Sequence, residues 1–257
     1  MPSVAKPPAG DRPLKTLERV LSKAGVGSRR ESRSIVAAGR VRVNEVVELD
    51  PDRWVDLERD SFSLDDLPLT NAELVYVVLH KPSGVLTTLR DKEERRTIYD
   101  LLPENLRTLR YVGRLDMDTT GVLLLTNDHA LAERMTNPAF KVPKTYRVHS
   151  THPITPSDIK SLIGGIELSD GVTRPADVQP VTADGCVVDI TITEGRNRQV
   201  RRMLEALGNE AMALERIAFG PIRLDSLKEG EYRQLTDEEV AACLGTSSQD
   251  QTAFASQ

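Results

Sequence analysis

The sequence contains few cysteines and no long hydrophobic run. Cys186 and Cys243 are the only two among 257 residues, with no Cys-x-x-Cys pair and none of the close Cys/His spacing that holds zinc. No run of about 18 apolar residues is present, and the first residues, MPSVAKPPAGDRP, lack the apolar block of a signal peptide. We therefore expect no disulfide framework, no metal site and no membrane association, and a cytoplasmic chain.

Positive charge is concentrated near the beginning of the chain. The whole sequence has a formal net charge of −5, yet the segment from Arg12 to Val43 contains nine basic and two acidic residues. Such a local excess predicts phosphate binding, and a solvated basic face without a partner is the alternative.

The first part of the chain predicts two helices followed by a hairpin. Apolar residues from Leu14 to Ala24 recur at helical spacing, and SRRE at 28–31 forms a capping box for a second helix. Two short alternating strands, 41–43 and 46–49, are joined through Asn44-Glu45. We expect terminal tails at 1–13 and 245–257, an RNA-binding domain over 14–60, a linker over 61–71 and a catalytic domain over 72–244.

The second domain predicts an α+β fold. Strand patterns lie at 74–79, 110–115, 121–126, 145–149, 166–168, 186–193 and 214–219, and helical patterns at 127–136, 156–163, 198–207 and 236–244. Asp170-Gly171 predicts a hairpin between 166–168 and a strand near 176–181. Because strands and helices do not alternate regularly, we expect a mixed, largely antiparallel sheet with flanking helices.

Three stretches of this domain contain the candidate site residues. In GRLDMDTTGVLLLTND, 113–128, Asp116 lies on a loop between two strands, and the alternative is that it only caps a turn. Lys144 and Tyr146 lie on the strand KTYRV. Arg198, Arg201 and Arg202 lie at the start of a helix, and we expect one of these arginines to pair with Asp116.

The basic segment resembles the small RNA-binding domain first described in the fourth protein of the small ribosomal subunit. The matching residues are 17–51, and Glu45 stands where a glycine is usual, which concerns only the geometry of the turn. The resemblance implies that two places face RNA, the start of the second helix and the hairpin. The arginines there are Arg29, Arg30, Arg40 and Arg42.

Together with that domain, the motifs GRLDMDTTGVLLLTND, KTYRV and GRNRQVRRM resemble the RsuA-type family of ribosomal RNA pseudouridine synthases; LHKPSGVLTT at 79–88 also matches. The resemblance implies isomerisation of a flipped-out uridine in ribosomal RNA or a pre-ribosomal particle, by a monomer without cofactor or metal. Asp116 matches the catalytic aspartate, Arg201 the basic residue that keeps it charged, and Tyr146 the active-site tyrosine. The residues expected to contact RNA in this domain are Lys81, Arg114, Lys144, Arg198 and Arg202.

Other functions are consistent with parts of the sequence. DMDTT at 116–120 satisfies the DxDxT signature of haloacid-dehalogenase phosphatases, but no downstream acidic cluster completes a magnesium site. A helix-turn-helix DNA reader would need a longer recognition helix than the hairpin leaves room for. A non-catalytic RNA-binding ribosome-assembly factor is the third alternative, although binding alone has no use for a carboxylate among phosphate-attracting residues.

Overall fold

The computed structural model describes residues 14–57, 59–69 and 73–245, and the chain divides into two compact units between Leu74 and Val75. The expected tails lie outside the described residues, apart from Gly245, which ends the last helix in a left-handed conformation. Within the described part of the chain, no helix is long and apolar enough to cross a membrane.

The first unit combines two helices with short strands. Helices α1 and α2 span Leu17–Lys23 and Arg29–Ala37, and the predicted capping box of Ser28 and Glu31 is confirmed. The strands are β1 Leu14–Thr16, β2 Val41–Val43, β3 Val46–Glu48, β4 Trp54–Asp56, β5 Phe62–Leu64 and β6 Leu67–Pro68. They form a four-stranded sheet in the order β3-β2-β5-β6 and a separate β1-β4 pair.

Three details of this unit differ from or refine the expectations. Leu14 begins a strand rather than the first helix, because it pairs with Asp56 of β4. The stretch expected to be a linker at 61–71 contains β5 and β6, and β5 pairs with β2. Asn44 and Glu45 both have positive φ, 52° and 66°, as the tight hairpin turn requires, so Glu45 adopts the turn in place of glycine.

The second unit is built on one large sheet with helices around it. Its strands are β7 Tyr76–Lys81, β8 Arg110–Val112, β9 Thr120–Thr126, β10 Lys144–Ser150, β11 Glu167–Leu168, β12 Gly171–Val172, β13 Asp177–Pro180, β14 Val187–Ile192, β15 Ala211–Phe219, β16 Ile222–Arg223 and β17 Tyr232–Gln234. The α-helices are α3 His129–Thr136, α4 Pro156–Gly164, α5 Gln199–Ala206 and α6 Asp237–Leu244, and short 3-10 helices span Ile98–Leu101, Glu104–Leu106 and Pro138–Phe140.

The large sheet is mixed and largely antiparallel, which confirms the predicted α+β class. Its order is β13-β14-β10-β15-β9-β7-β17, with β16 paired to β15 and β8 to β9. The pairing of β9 with β15 is parallel and the other ladders are antiparallel. One local prediction is wrong: the turn at Asp170-Gly171 pairs β11 with β12, whereas β13 pairs with β14.

Strand β9 is apolar because both of its faces are buried. Leu123 and Leu125 pack into one apolar cluster, whereas Val122 and Leu124 pack into a second cluster on the other face. A strand covered on both sides has a continuous hydrophobic run instead of alternation. The loop that precedes β9 is therefore attached to a strand that is buried on both faces.

Candidate active site

Asp116 lies on the loop between β8 and β9. The residue is half-buried, and its carboxylate makes no hydrogen bond or ion pair with any other residue that the structure describes. The loop closes on itself through a hydrogen bond from Thr119 N to Asp116 O, 3.1 Å long. An unpaired, partly enclosed carboxylate is available to react with a bound molecule.

The loop around Asp116 is held by the segment LHKPSGVLTT. Lys81 Nζ donates hydrogen bonds to the carbonyl oxygens of Thr119 at 2.8 Å, Met117 at 3.2 Å and Pro82 at 3.1 Å. Gly84 N donates to Met117 O at 2.8 Å, and Thr87 Oγ1 donates to Leu115 O at 2.8 Å. These contacts fix the backbone on both sides of Asp116.

Lys81 was expected to contact RNA, and that expectation is wrong. The side chain is fully buried at the end of β7. Burial lowers the pKa of the Lys81 ammonium to about 8, against the favourable influence of the nearby carboxylates. The residue acts on the site through the loop backbone.

The expected ion pair between Asp116 and an arginine of α5 is also absent from the described structure. Arg201 is buried and its Nη2 lies 3.2 Å from the carboxylate of Asp118, with a further hydrogen bond to Asp118 O at 3.1 Å. Arg198 binds the same carboxylate at 3.3 Å. Both arginines therefore bind the loop at Asp118, two residues beyond Asp116, because Asp118 is the carboxylate that faces α5.

A β-bulge places four side chains on one face of the sheet. On β10, Lys144 pairs with Phe219 and Tyr146 pairs with Arg216, so one residue of β15 is skipped between these pairs. Because the extra residue shifts the alternation, Arg216 and Phe219 share the face of Lys144 and Tyr146. Bulges of this kind are common beside active sites, where they redirect a side chain.

The two cations of this group lie against the Phe219 ring. The Arg216 guanidinium carbon is 4.8 Å and the Lys144 Nζ 5.4 Å from the ring centroid. Burial, followed by repulsion from Arg216 and Arg174, lowers the pKa of Lys144 to about 8. Lys144 Nζ donates to Val142 O at 3.1 Å, so it lies in the wall of the site and not on an open surface.

One cavity joins the loop to the bulged strands. It has a volume of about 370 Å³, which is within the usual range for sites that bind small molecules or single nucleotides. Asp116, Tyr146, Lys144 and Arg216 all line it, and the exposed Arg114 and Arg198 lie at the same cavity. The predicted Asp116 and Tyr146 are therefore brought together, whereas Arg201 is not among the lining residues.

Arg202 is directed away from the cavity. It binds the carboxylate of Asp170, with distances of 2.6 and 3.1 Å, and Arg196 contacts the same carboxylate at 3.3 Å. Asp170 lies in the turn between β11 and β12. These two arginines therefore attach that hairpin to the start of α5, and contact of Arg202 with RNA stays a prediction.

In the first unit, most of the predicted RNA-contacting arginines are paired with carboxylates. Arg29 lies 3.2 Å from Glu18. Arg40 binds Asp65, and Arg42 binds Asp66. Arg30 has no ion-pair partner within the described ranges. The acidic segment that the sequence analysis assigned to a linker thus supplies two of these partners.

Sequence reasoning missed Arg216 as a site residue. The strand pattern LERIAF at 214–219 showed Arg216 in alternation with Leu214, but a charged residue in such a strand was not interpreted as part of a buried site. In the structure Arg216 lies on the same side of β15 as Leu214, two residues earlier, and both residues line the cavity. Among the residues that the structure describes, no group of three His, Cys, Asp or Glu side chains is arranged to hold a metal ion.

Comparisons with known proteins agree with this organisation. The RNA pseudouridylate synthase model matches residues 75–206, and the S4 domain model matches residues 16–58. The ribosomal large subunit pseudouridine synthase B of Bacillus subtilis (strain 168) is 35% identical over 246 residues, which cover 94% of this chain and 100% of the relative. The RNA pseudouridine synthase YtzG of the same strain is 39% identical over 229 residues, which cover 87% and 96%.

A solved structure is similar over most of its length. The crystal structure of a pseudouridylate synthase matches with a TM-score of 0.65 and 32% sequence identity. The match covers 89% of this chain and 99% of that one. The similarity therefore extends over both units.

Proposed function

Because the chain belongs to the RNA pseudouridylate synthase family, we propose that it converts a uridine of ribosomal RNA into pseudouridine, with Asp116 as the nucleophile. The observation that supports this assignment best is the unpaired carboxylate of Asp116 in a cavity that Tyr146 also lines. In this reaction the glycosidic bond breaks, the uracil turns, and C5 is joined to the ribose. The chain is thus an isomerase in class.

The target uridine is rotated out of its stack in this proposal. A base inside a helix cannot reach a carboxylate in a cavity, and unpaired RNA loops allow a base to turn outward for a few kcal/mol. Tyr146 stacks on the turned base, since an aromatic ring offers it a flat partner and the phenol can exchange a proton. Arg114, which is exposed at the cavity, contacts the RNA at the place in the stack that the turned-out base has vacated.

The role of Arg201 follows from its contacts. Its guanidinium holds Asp118, and through Asp118 O the loop that contains Asp116. We assign it to positioning the nucleophile. Arg198 and Lys144, two cations that line the same cavity, supply the positive environment that an ionised carboxylate and RNA phosphates both favour.

The S4 domain supports RNA as the substrate, and relatives named for the large ribosomal subunit favour ribosomal RNA. Arg29, Arg30, Arg40 and Arg42 provide its phosphate contacts in this proposal. A cytoplasmic location and a monomeric state belong to the same proposal. Gel filtration with light scattering tests the monomer.

The direct test is formation of pseudouridine in unmodified ribosomal RNA transcripts incubated with the purified protein. Modified positions are mapped by carbodiimide labelling and primer extension. Asp116→Asn keeps the shape of the side chain but removes the nucleophile, so product is expected to fall to background while RNA binding persists. Asp177→Asn, at an exposed position of β13, is the matched control and should leave the rate unchanged. Activity that survives in Asp116→Asn contradicts the proposed role.

A further inference from the structure

Arg216 is a buried cation whose donors are mostly unused. It is 2% exposed, and its guanidinium makes one hydrogen bond within the described residues, from Nε to Val122 O at 2.8 Å. Nη2 is enclosed and has no partner in the structure. A buried donor left without a partner costs about 1–3 kcal/mol, and such groups in native structures usually have a functional reason.

The position of Arg216 indicates what its missing partner is. It is the cross-strand neighbour of Tyr146, and both residues line the cavity that contains Asp116. Neighbouring side chains on one face of a sheet lie about 4.5–5.5 Å apart at Cβ. A base stacked on Tyr146 would therefore present its edge to the Arg216 guanidinium.

The burial of Arg216 indicates that its partner is the base of the nucleotide and not a phosphate. Arg114 and Arg198 are exposed cations at the same cavity and lie where the charged RNA backbone remains in water. Arg216 is almost completely buried against Phe219. At that depth a neutral base is a better partner than a charged phosphate, which would lose its hydration there. The acceptors that uracil offers at its edge are its two carbonyl oxygens.

We propose that Arg216 contacts the substrate directly, with a terminal guanidinium N–H donating a hydrogen bond to a carbonyl oxygen of the target uracil. This inference rests on the proposed function. The contact holds the base while its bond to the ribose is broken. It also stabilises negative charge that develops on the carbonyl oxygens as the ring is attacked or leaves.

The test combines variants of the protein with single-atom changes in the RNA. A synthetic RNA with one target uridine carries uracil, 2-thiouracil or 4-thiouracil at that position, because sulfur accepts hydrogen bonds more weakly than oxygen. Single-turnover rates are measured for the wild type and for Arg216→Met. We expect the variant to react about 10²–10³-fold more slowly with uracil. We also expect one of the two thio substitutions to slow the wild type much more than the variant.

Controls separate this contact from structural effects. Arg147→Met removes an arginine of β10 that pairs with Asp189 at 2.9 Å outside the cavity, and it should leave the rates and the thio effects as in the wild type. Arg216→Lys keeps the charge and provides a second variant if Arg216→Met does not fold. Thermal unfolding of each variant establishes folding.

The outcomes distinguish the inference from the proposed function. If the wild type forms pseudouridine but both thio substitutions slow it no more than they slow the Arg216 variants, the inference is overturned and the proposed function stands. The inference is also overturned if neither 2-thiouracil nor 4-thiouracil slows the wild type, and this result needs no variant of the protein. If the wild type forms no pseudouridine in any ribosomal RNA, both fail.

Discussion

Replacing Lys81 by Met tests whether a buried ammonium holds the loop that contains Asp116. The side chain is fully buried and donates to three carbonyl oxygens, two of them in the loop of Asp116. Met fills a similar volume but donates nothing. Since misplacing a reacting group by about 1 Å can cost about 10²-fold in rate, we expect Lys81→Met to lower the single-turnover rate by up to that factor.

The same substitution should also change how the free energy of unfolding depends on pH, because burial lowers the pKa of Lys81. The pKa of Lys81 is about 8 in the folded protein, against 10.5 for an ordinary lysine. Between these values the unfolded chain binds a proton that the folded protein does not, so stability rises with pH across this window. At about 1.36 kcal/mol per pH unit, the Lys81 contribution is about 3 kcal/mol.

The assay is urea unfolding of the wild type and Lys81→Met at several pH values from 7 to 11. The free energy of unfolding of the wild type should rise relative to that of the variant by the stated amount between pH 8 and 10.5. Taking the difference cancels the titration of other groups, including Lys144, whose pKa is also about 8. Lys160→Met on the exposed face of α4 is the matched control. A flat difference across this window would refute the buried-ammonium reasoning.

Two further variants test other parts of the structure. The double variant Asp65→Asn, Asp66→Asn releases Arg40 and Arg42 from their ion pairs, so we expect it to bind RNA more tightly. The slope of log affinity against log salt concentration should steepen by up to about 0.7 per released arginine on single-stranded RNA. Fluorescence anisotropy at several salt concentrations measures this slope, and an unchanged slope would show that these arginines do not contact RNA. Gly121→Ala should destabilise the second unit by at least about 1–3 kcal/mol, because φ is +111° and the new Cβ would lie 2.6 Å from a backbone nitrogen of β15. Urea unfolding measures this loss of stability. The control variant is Gly164→Ala, because a Cβ at position 164 meets nothing within 4 Å. Equal free energies of unfolding for the two variants would contradict the predicted clash.

Much of the local structure was predictable because it depends on neighbours in the chain. The capping box of Ser28 formed as its spacing indicated. The apolar run behind Asp116 forms a strand, as predicted, and the structure shows that both faces of this strand are buried. The stretch 61–71 was predicted to be a linker because it is acidic. Its composition did not show that β5 pairs with β2 and β6 with β5, since strand pairing depends on residues distant in the sequence.

The sequence alone was sufficient to identify the capped start of α2, several strands, the loop of Asp116 and the family motifs, because each is a local pattern of residue types. It could not show which carboxylate meets which arginine. Arg201 lies on the predicted helix, yet it binds Asp118, since side-chain partners depend on how α5 packs against the loop. Arg216 becomes the neighbour of Tyr146, and one skipped residue brings Phe219 to the same face, because of the register in which β10 pairs with β15; only the paired strands contain that register.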